Sequence, residues 1–143
     1  MSDVSNQSAI IDEASTWFDL GCALQDAEQP QEALSAFRQA EAIDPNLPFL
    51  RPKIAWTHFM LQNFTTALDL YETLVRENPG DGGLWSDLSA TAHRCREWDK
   101  ALTASERAFQ LNPNHPAILS NYSIILAEFG RFKRAHHLIA RAV

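Results

Sequence analysis

Apolar and small residues recur along this chain at helical spacing, and the recurrence itself repeats every 34 residues. Leu84, Trp85, Leu88 and Ala92, then Ala101, Leu102, Ala108 and Leu111, fall at the intervals that line one face of an α-helix. The spacing predicts one helix from Leu84 to about Cys95 and a second from about Trp98 to Leu111. The same columns reappear up and down the chain. Pro45, Pro79 and Pro113 each follow Asp or Asn and stand 34 residues apart; Ala33, Ala67, Ala101 and Ala135 form a second series; Gly21, Ala55, Ser89 and Ser123 form a third, of small residues only. A period of this length signals a stacked repeat array, in which each unit buries its apolar face against its neighbours.

The frame divides the chain into a flexible tail or helical lead-in over residues 1–13 and a single array of repeats at 14–47, 48–81, 82–115 and 116–143, the last stopping six residues short. Each repeat reads as two helices. Asp-Pro-Asn, Asn-Pro-Gly-Asp and Asn-Pro-Asn end the second helices, because Pro cannot continue a helix and biases its predecessor away from the α region. The small columns let the two helices approach closely. Pro48, Pro52 and Pro116 are expected in the first turns of their helices, where the backbone donors have no intrahelical partner anyway.

Composition removes several function classes. The chain is 45% apolar, ordinary for a globular domain. It holds no run of 18 apolar residues, and its first eight residues are polar, without the basic and apolar regions of a signal peptide. A cytoplasmic protein without a membrane span is expected. Cys22 and Cys95 read as free thiols, and no Cys or His has zinc-ligand spacing. His136 and His137 are adjacent and diverge around a helix, so they form no metal pair, and no metal or cofactor is expected. Gly80-Asp-Gly-Gly83 lacks the Gly-Lys-Ser/Thr of a phosphate loop, and no Gly-x-Ser-x-Gly elbow occurs, so nothing supports catalysis. The net charge of −6 is unevenly laid out: residues 1–47 carry nine acids and one base, whereas residues 116–143 carry one acid and four bases. There is no broad basic patch with interleaved aromatics, which argues against nucleic acid.

Trp17, Leu20, Gly21, Leu24, Ala33, Phe37, Ala40 and Pro45 in the first repeat resemble the tetratricopeptide repeat (TPR) family, as do Trp85, Leu88, Ser89, Ala101, Ala108 and Pro113 in the third and Leu119, Tyr122, Ser123, Gly130, Phe132, Ala135 and Ala142 in the fourth. The second repeat departs, with Arg51 where Trp is usual, while Ala55, Ala67, Tyr71 and Pro79 keep the frame. The resemblance implies an all-α, right-handed α-solenoid of antiparallel helix pairs, about eight helices in all. It also implies a non-catalytic protein–protein interaction scaffold that binds a peptide, helix or protein segment in a concave groove. Carried over place by place, the groove residues are Phe18, Cys22, Phe49, Lys53, Trp56, Phe59, Asp87, His93, Arg94 and Asn121. Phe18, Phe49, Trp56 and Phe59 would be apolar anchors, and Lys53, Asp87, His93, Arg94 and Asn121 polar readers. The alternative for the aromatic cluster is structural: core, or a surface covered by residues 1–13. The places where some relatives hold a chaperone's C-terminal carboxylate carry Phe18, Cys22, Lys53, Gly83 and Asp87, too few cations for that clamp.

Two other functions fit the same pattern: a substrate-positioning repeat domain of a larger enzyme, glycosyltransferase- or sulfotransferase-like, and a small secretion chaperone. Leu138, Ile139, Ala142 and Val143 leave an apolar face at the end of the fourth repeat without a capping helix. A longer parent chain or a homo-oligomer, acidic first repeat against basic fourth, would cover it; the third alternative is an unusually placed last helix.

Overall fold

The computed structural model describes residues 2–128, 130 and 138–142. Among them there is no strand. The helices are α1 (Ser2–Asp26), α2 (Pro30–Ile43), α3 (Leu50–Met60), α4 (Phe64–Glu77), α5 (Gly82–Arg94), α6 (Trp98–Leu111) and α7 (Pro116–Glu128), and residues 138–142 are helical. They fall into two compact units, α1–α3 within residues 1–63 and the remainder within 64–143.

The 34-residue period survives to single-residue accuracy in the helix ends. Pro30, Phe64 and Trp98 begin α2, α4 and α6, and Ile43, Glu77 and Leu111 end them. Asp26, Met60, Arg94 and Glu128 end α1, α3, α5 and α7. A shared backbone device explains the second series. Glu28, Gln62 and Arg96 take φ of 58°, 64° and 61°, and Gly130 takes 72°. At Gln62 the backbone N–H donates to Phe59 O at 3.0 Å while Asn63 N–H donates to His58 O at 2.8 Å. The same pair of bonds closes at Glu28 and Arg96. This is the Schellman arrangement, whose left-handed residue is ordinarily Gly. Three of the four positions carry a Cβ that opposes that conformation. Glu28→Gly is therefore expected to raise the unfolding free energy by about 0.5–1 kcal/mol, read from the midpoint of a urea titration.

Residues 2–13 take the helical of the two forms open to them, as the first half of a 25-residue α1, and their apolar side chains Val4, Ile10 and Ile11 are exposed. One element departs from the expected frame, α3, which starts at Leu50. Pro48 consequently lies ahead of the helix instead of in its first turn, and Phe49, at the N-cap, takes a left-handed φ of 68°.

Close helix approach rests on the small columns. Ala33, Ala55, Ala67, Ala101 and Ser89 are 0% exposed. Ser89 Oγ donates to Ala101 O at 2.8 Å, tying α5 to α6. Gly21 on α1 lies under the fully buried Phe37 ring of α2: a Cβ there would stand 2.5 Å from Phe37 Cε1. In the second unit Leu119, Tyr122 and Leu126 of α7 pack with Leu138, backed by Leu102 and Phe109 of α6. Leu138, expected on an uncovered face, is 2% exposed, because it closes this cluster; Ile139 is half exposed. Leu20, one of the residues that carry the repeat pattern, is 46% exposed on α1. Phe132, Ala135, His136, His137 and Val143 lie outside the described residues.

Candidate functional site

In the first unit the inward face of α3 is Leu50, Ile54, Ala55, Thr57 and His58, all buried. That leaves Lys53, Trp56 and Phe59 on the remaining arc. A polar bracket fixes this rotation. Gln25 of α1, only 6% exposed, donates through Nε2 to Thr57 Oγ1 at 3.0 Å and to Lys53 O at 3.3 Å. Lys53 Nζ returns a bond to Gln25 Oε1 at 3.4 Å, and Thr57 Oγ1 donates to Lys53 O at 2.7 Å. Buried polar groups so paired specify one register of α3 on α1. With α3 held this way, Trp56 is 38% exposed and stacks on Phe59, ring centroids 4.9 Å apart and planes 9° from parallel. Phe49 is 76% exposed.

The other first-unit residues play smaller parts. Phe18 is half-buried and leans on Phe37 with centroids 5.8 Å apart, so it belongs partly to the core of α1 and α2 rather than standing free as an anchor. Cys22 is a half-buried free thiol. Burial pushes its pKa up, Lys53 opposes that, and Asp19 and Asp26 add to it, so it is a poor nucleophile.

In the second unit α5 presents its site residues at two places. Asp87, midway along it, borders a cleft of about 770 Å³ with Ser86, Gly83, Asp81, Asn78, Asn112, His115 and Ala117 among its walls. The cleft exists because the turns before α5 and α7 stand side by side. Gly82 makes that approach possible: a Cβ there would fall 1.9 Å from Asn112 Oδ1. Asp81 caps α5, its Oδ1 accepting from Leu84 N at 3.2 Å. The Asp87 carboxyl is pushed up to about 6, first by burial and then by the neighbouring Asp81. Its charge in turn helps burial push the Tyr71 hydroxyl above the usual range. Tyr71 is 1% exposed, and its hydroxyl has no hydrogen-bond partner among the described residues.

His93 and Arg94, at the far end of α5, are not brought to this cleft. His93 Nε2 lies 3.9 Å from Glu128 Oε1, and its ring meets Trp98 edge-on at 5.3 Å. Arg94 sets its guanidinium 4.7 Å over the Phe64 ring. Asn121 is also engaged, donating through Nδ2 to Ser86 O at 3.2 Å and Ser86 Oγ at 3.3 Å, which ties α7 to α5. These three therefore do structural work within the unit beside any contact they offer outward. Tyr71 and Asp81 are not among the expected site residues. Nothing in the spacing marks Tyr71 as more than a core aromatic, and Asp81 reads as a turn residue.

No group of three or more His, Cys, Asp or Glu able to hold a metal occurs among the described residues. Among them, too, no helix is long and apolar enough to cross a membrane.

Two sequence models of the tetratricopeptide repeat match, over residues 14–47 and 53–81. Among curated proteins, the peroxisomal targeting signal receptor of Saccharomyces cerevisiae is 26% identical over 105 residues, 73% of this chain and 17% of the receptor. The human protein O-mannosyl-transferase TMTC1 is 29% identical over 101 residues, 71% of this chain and 12% of that protein. Among solved structures, MamA (residues 41 to the end) of Desulfovibrio magneticus RS-1 superposes with a TM-score of 0.81 at 17% identity, covering 90% of this chain and 73% of that one. A thermophilic TPR protein of Thermus thermophilus gives the same TM-score, 0.81, at 22% identity, covering 90% of this chain and 72% of that one. At these identities the structural likeness concerns the fold. The chain spans less than a fifth of the length of the peroxisomal receptors it matches.

Proposed function

We propose, from the premise that this chain is a tetratricopeptide-repeat protein, that it is a non-catalytic scaffold whose α3 surface anchors a segment of a protein partner. The observation that carries this reading is the aromatic group on α3. Trp56 and Phe59 stack flat with Trp56 open to solvent. Phe49 stands almost fully exposed on a left-handed backbone that costs an L-residue about 1–2 kcal/mol. Exposed aromatics held rigidly by a bracketed helix are what a partner's apolar side chains dock against. A strained residue carrying an exposed ring is a further pointer to use rather than to packing. The similarity to a targeting-signal receptor fits the same class of task. The cytoplasm is the proposed compartment, where the free thiols Cys22 and Cys95 would stay reduced.

The test uses peptides selected from a displayed library against the full chain. Trp56→Ala is expected to weaken them by about 2 kcal/mol, roughly thirtyfold, with the melting temperature nearly unchanged. Unaltered binding, or a protein that no longer folds, would overturn the assignment. A second reading, a repeat region that positions protein substrates for a larger enzyme, is supported by the match to the O-mannosyl-transferase over 101 residues. A parent chain with a transferase domain would favour it.

A further inference from the structure

The first half of α1 carries an exposed apolar face that continues a buried one. Val4, Ile11, Phe18 and Gln25 stand seven residues apart, about two helical turns, and so share one side of α1. Toward the C-terminal end that side is covered. Gln25 bonds to Thr57 and Lys53 of α3, and Phe18 leans on Phe37 of α2. Ala14 is fully buried. Ile10 and Ile11 lie one turn before Ala14 on the same side, yet both are exposed, and so is Val4. A helical stretch of about a dozen residues is marginal in water by itself, and protein helices are held mainly by packing of their apolar face. This face cannot be covered by its own α3. The helix runs unbroken from Ser2 to Asp26, and Gln25 already pins its far end to α3, so the chain has no bend by which residues 2–13 could return.

The second, independent observation is the charge of the two exposed apolar surfaces in this unit. Residues 1–37 hold no Lys or Arg, and Asp12 and Glu13, both exposed, directly follow Ile11. The α3 surface is the opposite. Residues 45–63 hold no Asp or Glu, and Arg51 and Lys53 lie on the helix that carries the Trp56–Phe59 stack, with Phe49 at its start. Asp19 and Asp26 act on Cys22 together with Lys53, so Lys53 already has acids of α1 around it. Arg51 is exposed in the first turn of α3, a turn without acids, where the helix end itself favours negative charge. One surface is thus an acidic helix with aliphatic anchors, and the other an aromatic platform with a cationic edge. Both belong to the unit of residues 1–63, so every copy of the chain carries both.

We propose that the α3 surface receives the first half of α1 from a second copy of this chain, with Ile10 and Ile11 seated against Phe49, Trp56 and Phe59 and with Asp12 and Glu13 turned to Arg51. The assignment deepens the scaffold reading and rests on it for α3 being a docking surface; it names the bound segment as an acidic amphipathic helix of the chain itself. Such a helix laid on an apolar surface is a recurrent mode of recognition, read by anchors at helical spacing. Apolar contact at the centre supplies affinity, and unlike charges at the edge fix the register. Because the contact joins two different surfaces present on each copy, two copies can exchange helices, each giving α1 and receiving its partner's. That is the self-complementary form of a two-fold pair, and the second contact then forms at high effective concentration.

The experiment follows the solution mass of the full chain by sedimentation across roughly 1–300 μM, with hydrogen exchange at the amides of residues 5–13 as a second readout. The expected wild-type result is concentration-dependent association, with those amides protected only where the chain is associated. Ile11→Asp changes α1 at an exposed position, and Trp56→Ala changes α3; each should raise the dissociation constant about thirtyfold or more. Phe49→Gly removes an exposed ring and relieves its left-handed backbone, so it should weaken association without loss of packing and decides the matter if Trp56→Ala lowers folding. Mixing Ile11→Asp with Trp56→Ala should restore a pair of one copy each, because the intact α1 of one variant meets the intact α3 of the other. A chain that stays monomeric throughout overturns the proposal. So does association lost in Ile11→Asp but kept in both α3 variants, which would mean that α1 pairs with another surface, and so does a mixture no more associated than either variant alone. The peptides selected for the scaffold test separate the two readings. A monomeric chain whose peptides still weaken in Trp56→Ala overturns the self-docking and leaves the scaffold reading standing. Peptides indifferent to Trp56→Ala, beside association that both variants abolish, overturn α3 as a site for other proteins and leave the self-docking standing.

Discussion

Phe37→Ala should cost about 3–5 kcal/mol of folding free energy, the largest effect of any single substitution in the first unit. The ring is 0% exposed and packs from α2 onto α1, where it covers Gly21 and leans on Phe18. Its neighbours cannot refill the space. Gly21 has no side chain, and Ala33, Ala36 and Ala40 of its own helix are short and already buried where the helices meet. Deleting the ring therefore leaves a cavity with little to collapse into it, and the transfer and cavity terms add. Denaturant titration of the variant, with helical signal as the readout, checks the magnitude. A coupled pair sharpens the test: Gly21→Ala alone should destabilise, because its Cβ meets the ring, but should cost far less in a Phe37→Leu background. Equal costs in both backgrounds would show that the Gly21–Phe37 contact does not set the spacing of α1 and α2.

Why this contact is readable in advance, while others are not, follows from where each signal resides. Gly21 and Ala33 belong to columns that repeat at one spacing, and close approach of two helices demands small residues at fixed places. The helix ends are equally legible where Asn-Pro or Asp-Pro stops a helix, as at Ile43, Glu77 and Leu111. The ends at Asp26, Met60 and Arg94 rest instead on a left-handed residue. Glu28, Gln62 and Arg96 carry none of the Gly signature that such a cap ordinarily shows. Their conformation shows only in the pair of backbone hydrogen bonds that closes each helix end. The late start of α3 is a similar case, since nothing in Pro48-Phe49-Leu50 announces that Phe49 will adopt φ 68°.

The site divides the same way. The exposure of Trp56 follows from the helical phase of α3, because Ile54, Ala55, Thr57 and His58 fill the inward arc. The engagement of His93 with Glu128, of Arg94 with Phe64 and of Asn121 with Ser86 cannot be read from spacing. Each joins side chains from different elements at distances that only packing determines. Asp87 shows the limit most clearly. Its place on α5 is legible, but its burial depends on the turns at Asp81 and Asn112 closing around it, and Tyr71, whose hydroxyl has no partner among the described residues, comes from another helix.

Asp87→Asn should make the isolated protein more stable at neutral pH, by about 2 kcal/mol, and the gain should vanish in acid. The sign follows from linkage. In the folded chain the carboxyl ionises near pH 6, whereas an unfolded Asp ionises near its model value of 3.8. Between those values the native state binds more protons than the unfolded one, so the carboxyl's contribution to stability falls as pH rises through that window. Above about pH 6 the full penalty of an ionised, poorly solvated carboxylate is present; below about pH 4 it is gone. A displacement of about two units corresponds to roughly 3 kcal/mol, and partial exposure of the group reduces that to about 2. Asparagine removes the charge at nearly constant shape, so it removes the penalty. The measurement is the difference in unfolding free energy between variant and wild type at about pH 4.5, 6 and 7.5. His58, whose pKa burial and Arg38 push down, acts in the opposite sense, and the difference between variant and wild type cancels it. A gain that grows with pH would mean that the array keeps a destabilising carboxylate at this position. A loss at about pH 7.5 would mean that Asp87 is satisfied within the fold and that its role is structural.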